Sequence, residues 1–437
     1  KSGELRILLC ARSSLLLPFH DLGLIILDEE HDPSYKQQDP APRYHARDAA
    51  IYYAGLFKAK VLLGSATPSL ESYFNATQGK YGLVELNERF GGLEMPEIEI
   101  VDVKKVQAEK QMQENFSPQL IQAVHSTIAQ GKQVILFQNR RGYAPFMMCT
   151  TCGWIPTCKN CDVSLTYHRY QDQLTCHYCG TRYPYVHTCA ACGSQSLVTK
   201  SFGTEKIETD LQELFPKARI ARMDMDAVRN KDSHNKMIQL LENREIDILV
   251  GTQMVVKGLD FDNVSLVGIL SADNLLGFPD FRVNERAFQL MEQVSGRAGR
   301  KHGKGKVLIQ AYRTQHPILP YVTIHDYKAM YAAEIAERQN FGYPPFFRLL
   351  KLTLKHKDQK VAEQAAMVLA NWLRPHIGPH LVGPAAPLVA RVRNYYLQEM
   401  MIKLPRDTKV IAQTKQLLRE MFIKLLAEKQ FRSVFIV

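Results

Sequence analysis

Apolar residues in this chain fall into short runs that end in polar, glycine-bearing loops. GLIILDEE (Gly23 to Glu30) and VLLGSATP (Val61 to Pro68) are two such runs, and between them ARDAAIYYAGLF (Ala46 to Phe57) has apolar positions at helical spacing. Strand, helix, strand in that order predicts a parallel sheet with crossover helices. A more polar stretch from Gly91 to Glu114 reads as a linker. Alternation then resumes. QVILFQ (Gln133 to Gln138) is a strand, and TEKIETDLQELF (Thr204 to Phe215) is an amphipathic helix with Thr204 as its N-cap. DILVGT (Asp247 to Thr252), LVGIL (Leu266 to Leu270) and KVLIQAY (Lys306 to Tyr312) are further strands. Past the proline-rich FGYPPF (Phe341 to Phe346) come a strand (RLLKLTLK), a helix (VAEQAAMVLANWL) and two strand-like runs around Leu388 to Leu404. A helix (Val410 to Glu428) and a last strand, SVFIV, complete the split βαβ pattern of a small α+β domain.

Composition narrows the class. At ~150 residues per domain, 437 residues make two to four domains, enough to bury real cores. A hydrophobic share of 46% with 23% charged residues excludes a wholly disordered chain. No run approaches the ~18 consecutive apolar residues of a membrane helix, and no signal peptide opens the chain, so a soluble cytoplasmic protein without membrane partners is expected. The first residue is Lys1 rather than Met, which predicts an internal piece of a longer protein. The net charge of +11 suits a nucleic-acid partner but equally an ordinary solvated surface.

The cysteines are more telling. Of nine, eight form four Cys-x-x-Cys pairs: Cys149/Cys152, Cys158/Cys161, Cys176/Cys179 and Cys189/Cys192. Zinc takes four thiolates in a tetrahedron, and two facing Cys-x-x-Cys turns supply them, so eight ligands make two closed, structural sites of four cysteines each. Disulfides are disfavoured in a cytosolic chain, and four such pairs within 44 residues argue against a redox motif. Three pairing schemes exist. The loop Asp162 to Thr175 alternates like a hairpin, which favours a nested scheme: 158/161 with 176/179, closed around by 149/152 with 189/192. His168, His177 and His187 lie nearby, but eight cysteines suffice, so they read as surface or stacking residues.

Asp28-Glu29-Glu30-His31 follows an apolar strand directly, at the place where an open α/β sheet presents its chemistry. An Asp there can hold Mg2+ through water while the next Glu polarises the water that attacks a γ-phosphate. Alone, such a run is most often a solvated loop. Here the small, hydroxyl-bearing loop Gly64-Ser65-Ala66-Thr67-Pro68 follows the next strand. Gly251-Thr252-Gln253 with Lys257-Gly258-Leu259-Asp260 ends another, and Gln293-Val-Ser-Gly296-Arg297-Ala-Gly299-Arg300 places two arginines on one face of a helix or turn. Arginines brought from a second domain can stabilise charge on a transferring phosphoryl group.

In order, DEEH, GSATP, VILFQNRRGY (Val134 to Tyr143), GTQMVVKGLDF (Gly251 to Phe261) and QVSGRAGR resemble the motifs of superfamily 2 helicases. Three features narrow the likeness to the bacterial replication-restart helicases of the PriA family: the zinc module inserted after NRRGY, the aromatic and basic loop DEEHDPSYKQQDPAPRYHARDAA, and AERQNFGYPPFFRLLKL. The resemblance runs over essentially the whole chain. It implies an α/β fold of two RecA-like helicase lobes, the first incomplete, with an inserted double zinc-binding module and a C-terminal α+β split-βαβ domain. The expected boundaries are 1–115 for the first-lobe remainder and linker, 116–148 plus 198–340 for the second lobe, 149–197 for the zinc insertion and 341–437 for a DNA-binding domain.

The resemblance also implies roles. Asp28 would hold Mg2+ and Glu29 would orient the attacking water. His31 and Gln293 would link the nucleotide to the lobe interface, and Arg297 and Arg300 would reach the phosphates. Gly251, Thr252, Gly258 and Asp260 would lie at the ATP site. Tyr35, Arg43, Tyr44, His45 and Arg47 would stack on or grip single-stranded DNA, with Lys257 on its backbone; packing within the loop's own domain is the competing use of each. Implied partners are forked and single-stranded DNA, single-stranded DNA-binding protein and primosome proteins, and the implied activity is ATP-dependent 3′→5′ unwinding. The P-loop pattern Gly-x-x-x-x-Gly-Lys-[Ser/Thr] does not occur in the chain. It is expected upstream of Lys1 with the family's N-terminal domains, which would leave this chain inactive on its own. A non-catalytic scaffold with helicase-like lobes and zinc ribbons, or another superfamily 2 helicase, is the alternative.

Overall fold

The computed structural model describes residues 6–38, 43–88, 92–138, 146–149, 151–152, 154–160, 163–168, 173–176, 179, 181–200, 204–224, 231–255, 261–277, 280–299 and 305–437. The chain forms two compact units, one ending at Asn87 and one beginning at Glu88.

In the first unit, β1 (Leu24–Leu27) and β2 (Lys60–Leu63) are parallel neighbours, with Leu24 beside Lys60 and Leu27 beside Leu63. The crossover is α1 (Ala46–Phe57), which matches the sequence reading residue for residue. Its buried face is Ala46, Ala50 and Ala54, small side chains one turn apart that let the helix lie close to the sheet. Next comes α2 (Leu70–Thr77), whose N-cap Ser69 accepts the Ser72 N–H.

The second unit opens with a difference from the sequence reading. The polar stretch expected to be a linker contains β3 (Glu97–Asp102), which joins the following sheet as its edge, and α3 (Val103–Ala108), capped by Asp102. Ile98, buried, and Ile100, half-buried, share one face of the strand and Val101 is buried on the other, and the intervening acids masked that signal. Then follow α4 (Pro118–Ala129), β4 (Gln133–Phe137) and, after the zinc insertion, α5 (Thr204–Leu214), β10 (Ile220–Met223), α6 (Lys231–Glu242), β11 (Ile248–Gly251), β12 (Val264–Ile269), α7 (Asp273–Leu276), α8 (Val283–Ser295) and β13 (Lys306–Ala311). The sheet order is β10-β11-β4-β12-β13-β3, and every pairing in it is parallel. All of β4 is buried, as expected for the centre of a sheet covered on both faces. Its one polar side chain, Gln133, is satisfied by donating to the Leu241 and Ile246 carbonyls at 2.8 and 2.7 Å. Thr204 is already helical rather than a cap. Its hydroxyl donates to the buried Asp224 carboxylate instead.

The insertion is stemmed by antiparallel β5 (Phe146–Cys149) and β9 (Leu197–Lys200). Inside it, β6 (Thr166–His168), β7 (Gln173–Thr175) and β8 (Arg182–Pro184) form a small antiparallel sheet, and β6 with β7 is the expected hairpin. After β13 come α9 (Ile318–Thr323) and α10 (Tyr327–Asn340). The C-terminal part is β14 (Phe347–His356), α11 (Gln359–Ile377), β15 (Leu381–Ala385), β16 (Arg391–Val392), β17 (Tyr395–Pro405), α12 (Thr408–Ala427) and β18 (Phe435–Ile436), with main sheet order β15-β17-β14-β18. Strands β16 and β17 fall where two strand-like runs are expected around Leu388 to Leu404, but β15, before them, has no counterpart in the sequence reading. Its Gly383-Pro384 interrupts the strand signal, whereas Leu388, which suggested a strand, is 88% exposed in a loop. Leu352, Leu354, Met400, Ile402 and Leu404 pack under α11 and α12 as this domain's core. No helix among the described residues is long and apolar enough to cross a membrane.

Candidate active site and metal centres

The acidic turn sits at the carboxyl end of β1. Glu29 adopts φ of 48°, unusual for a residue with a side chain, and its N–H is held by the Asp28 carboxylate at 3.0 Å. Asp28 is exposed and Glu29 half-buried, so both can meet a ligand. His31 Nδ1 lies 2.7 Å from Ser65 Oγ and 3.5 Å from Glu29 Oε2, and Ser65 Oγ also accepts the Thr67 N–H at 3.0 Å. One imidazole therefore connects the general-base candidate to the GSATP loop after β2.

Glu30 has a different job. It is 1% exposed and accepts the Ser69 N–H at 2.6 Å, the Ser69 and Ser72 hydroxyls at 3.1 and 2.9 Å, and Arg47 Nη1 at 2.9 Å. Burial works to lower the Arg47 pKa, but Asp48 and Glu30 beside it outweigh that and raise it, so the guanidinium stays charged. Arg47 also donates to Ser69 Oγ at 2.5 Å. Its cation is thus spent inside the unit, on a carboxylate to which the sequence reading gave no role. Only the spacing of hydroxyls in GSATPSLES hinted at such an acceptor.

Elsewhere in this loop Lys36 forms an antiparallel bridge with His45, and the Gln37 N–H donates to the Tyr44 carbonyl at 2.9 Å. The Tyr35 hydroxyl donates to the Asp28 carbonyl at 2.7 Å. Burial, then the negative charges of Asp28 and Asp32, raise its pKa, which keeps it protonated as a donor. Arg43 is exposed, and Tyr44 reaches the Arg12 carbonyl at 3.4 Å. Burial and the neighbouring Arg47 lower the His45 pKa, so His45 is neutral at neutral pH, and its buried Nδ1 has no hydrogen-bond partner among the described residues.

In the second unit, Gly251 ends β11 and Thr252 follows, half-buried, in the turn closed by the Val255 N–H on the Thr252 carbonyl at 3.1 Å. A Cβ at Gly251 would stand 2.1 Å from Val255 Cγ1 and 2.9 Å from the Met223 carbonyl oxygen, so only glycine fits. Gly251→Ala is expected to destabilise the chain by ~1–3 kcal/mol and to reset the Thr252 turn, as read by urea unfolding and hydrogen exchange. Gln293 lies on the last turn of α8 and Arg297 one turn beyond, where the Arg297 N–H bonds the Val294 carbonyl at 3.1 Å; Arg297 is 7% exposed. Lys257, Gly258, Asp260 and Arg300 lie outside the described residues, as does Cys161.

The Sγ atoms of Cys149, Cys152, Cys189 and Cys192 all lie within 4.8 Å of one another, and so do those of Cys158, Cys176 and Cys179. Individual separations are 3.7 Å for Cys149 to Cys192, 3.6 Å for Cys152 to Cys189 and 3.6 Å for Cys158 to Cys179. A tetrahedron with Zn–S of about 2.3 Å has edges of about 3.8 Å, so the thiols fit the ion. The four cysteine pairs share one backbone bond: the first cysteine's N–H reaches the carbonyl five residues on, in Cys149 to Trp154, Cys158 to Val163, Cys176 to Thr181 and Cys189 to Ser194, at 2.8 or 2.9 Å. Burial raises the Cys149 pKa, but N–H groups of Cys152 and Thr151 pull it down to about 6. Within the same cluster Cys152 is lowered by the Trp154 N–H, yet its thiol neighbours and burial push it up to about 12. A bound dication removes that conflict by stabilising every thiolate. His187 is exposed, its ring meeting Tyr185 edge-on at 4.7 Å.

These features can be set beside known proteins. The model of the PriA DNA helicase Cys-rich region domain matches residues 158–184, that of the primosomal protein N C-terminal domain matches 339–436, and that of the helicase conserved C-terminal domain matches 188–302. "Replication restart protein PriA" of Bacillus subtilis (strain 168) is 43% identical over 417 residues, covering 95% of this chain and 52% of that protein. The chain belongs to the PriA family. The protein of the same name from Synechocystis sp. is 39% identical over 422 residues, 94% of this chain and 50% of its own length. The chain thus spans about half the length of the curated PriA relatives it matches. The parallel sheet of the second unit is the RecA-like helicase C-terminal fold of this family, and the cysteine-rich insertion is its zinc-ribbon region. Among solved structures, RecG bound to a three-way DNA junction is 14% identical with a TM-score of 0.37, over 72% of this chain and 30% of that one.

Proposed function

We propose that this chain is the motor-and-ribbon portion of an ATP-dependent 3′→5′ DNA helicase that acts at stalled or repaired replication forks in the cytoplasm and starts primosome assembly. The observation that carries the reading is the Glu29–His31–Ser65 connection, which joins a water-orienting carboxylate to the loop after the next strand. In this reading Asp28 holds Mg2+, Glu29 polarises the attacking water, and His31 with Gln293 relays nucleotide state. Arg297 and Arg300 contact the phosphates, with Gly251, Thr252, Gly258 and Asp260 near the nucleotide. Tyr35, Arg43, Tyr44, His45 and Lys257 meet DNA, while Arg47 acts indirectly by holding Glu30. Two zinc ions in the nested pairing hold the ribbon, 149/152/189/192 and 158/161/176/179. Forked and single-stranded DNA, single-stranded DNA-binding protein and primosome proteins are its partners.

The chain alone is expected to turn over ATP at background, because it contains no Gly-x-x-x-x-Gly-Lys-[Ser/Thr]. In a protein that joins it to a P-loop-bearing first-lobe segment, Glu29→Gln should lower DNA-stimulated turnover at least ~100-fold and leave oligo-dT binding unchanged. Equal turnover by both forms would overturn the enzymatic reading in favour of a scaffold.

A further inference from the structure

The segment AERQNFGYPPFF, so far only a family marker, occupies the seam between the second-lobe sheet and the C-terminal domain. Arg338, on the last turn of α10, is 2% exposed, and its Nη2 lies 2.7 Å from Glu285 Oε2 on the first turn of α8. Arg282, just before α8, reaches the same oxygen at 3.0 Å, and Asn284 donates to Glu334 of α10 at 2.8 Å. The Phe281 ring lies parallel to Tyr343, centroids 4.6 Å apart and planes within 4°. Both guanidinium groups sit against Phe281, Arg282 at 4.8 Å and Arg338 at 5.3 Å. Lys403 of β17 places its ammonium 3.8 Å from the Tyr343 centroid and donates to the Phe341 carbonyl at 2.7 Å. Cations and rings therefore form an unbroken pile from the C-terminal sheet to the start of α8.

We infer that Tyr343 and Arg338 are positioning residues: they lock the C-terminal domain to α8, and α8 carries that constraint to Gln293 and Arg297 at its far end. The inference rests on the proposed nucleotide role of those two residues. A helix of this length reaches about 18 Å from Glu285's turn to Arg297. It is a stiff element clamped at its start by Arg338. Near its end, Glu292 Oε2 meets His325 Nδ1 at 2.8 Å. Movement of the C-terminal domain, as on loading DNA, would then shift the register of the arginine-bearing turn. No change in the acidic turn of the first unit is required.

The test is hydrogen exchange on the full chain, without nucleotide or DNA, so its outcome is separate from that of the helicase reading. The reporters are the N–H groups of Gly296, Arg297, Ala298 and Gly299, bonded to Glu292, Val294, Ser295 and Val264 carbonyls. Tyr343→Ala should speed their exchange about tenfold while the amides of β4 and β11 keep their rates, and Tyr343→Phe, which retains the ring, should behave as wild type. Lys403→Met, which removes one end of the pile without opening a core, should give a smaller rise at the same four amides. Unchanged exchange there in both Tyr343→Ala and Lys403→Met overturns the inference. So does a uniform rise that includes β4 and β11, or failure of Tyr343→Phe to restore the rates.

Discussion

Cys189→Ser should release one of two zinc ions and unfold the β5–β9 stem of the cysteine-rich insertion, whose Cys149 belongs to the same thiol cluster. Structural zinc contributes about 10–16 kcal/mol to the folding of small domains, the largest single term available here. Among the described residues of the insertion the fully buried apolar core is small. Its buried cluster is Met147, Cys158, Leu165, Leu174 and Cys176, so two of its five members are themselves thiols. Atomic absorption should fall from about two zinc atoms per chain to about one, in line with the two thiol clusters. The β5–β9 amides should exchange fast while those of β4 and β12 stay protected. Cys10, exposed and in neither cluster, is the control, since Cys10→Ser should leave the metal content alone. A Cys189→Ser chain that keeps both ions would refute the assignment.

Glu30→Ala carries the second large effect. Removing one partner of a buried ion pair costs about 3–5 kcal/mol, because the remaining charge stays buried. Here the abandoned group is Arg47, 12% exposed, together with the Ser69 N–H and two hydroxyls. Urea unfolding followed by hydrogen exchange of the first unit should show the loss, and Arg47→Ala added to Glu30→Ala should recover part of it. A single substitution no more costly than the pair would mean that the Arg47 charge is solvated, and would return Arg47 to the set of direct DNA contacts.

Much of this was legible in the sequence because the signals were local. Periodicity located α1 to the residue and the buried β4 almost as well, since one helix turn or one strand brings its own apolar face with it. The zinc clusters were legible because each Cys-x-x-Cys turn is a self-contained knuckle. Loop lengths favoured a nested order, and the thiols of Cys149, Cys152, Cys189 and Cys192 lie within 4.8 Å of one another, an arrangement on which the proposed pairing rests. Where glycine, proline or acids sat inside an element the pattern failed, as at β15 and β3, because sheet partners supplied the stability that propensity withheld.

The residue types of the acidic turn, the arginine turn and the eight thiols were determined by the sequence alone. Which charge faces which was decided by tertiary structure. Arg47 and Arg43 look alike in RYHAR, yet one is committed to Glu30 and the other is exposed. Glu29 and Glu30 are neighbours, yet one reaches His31 and the other is sealed among serines. Adjacent side chains on a turn point in opposite directions, so an ion pair between positions 17 residues apart is fixed by how α1 packs on its strands. Nothing in the local pattern of hydrophobic and polar residues records that packing.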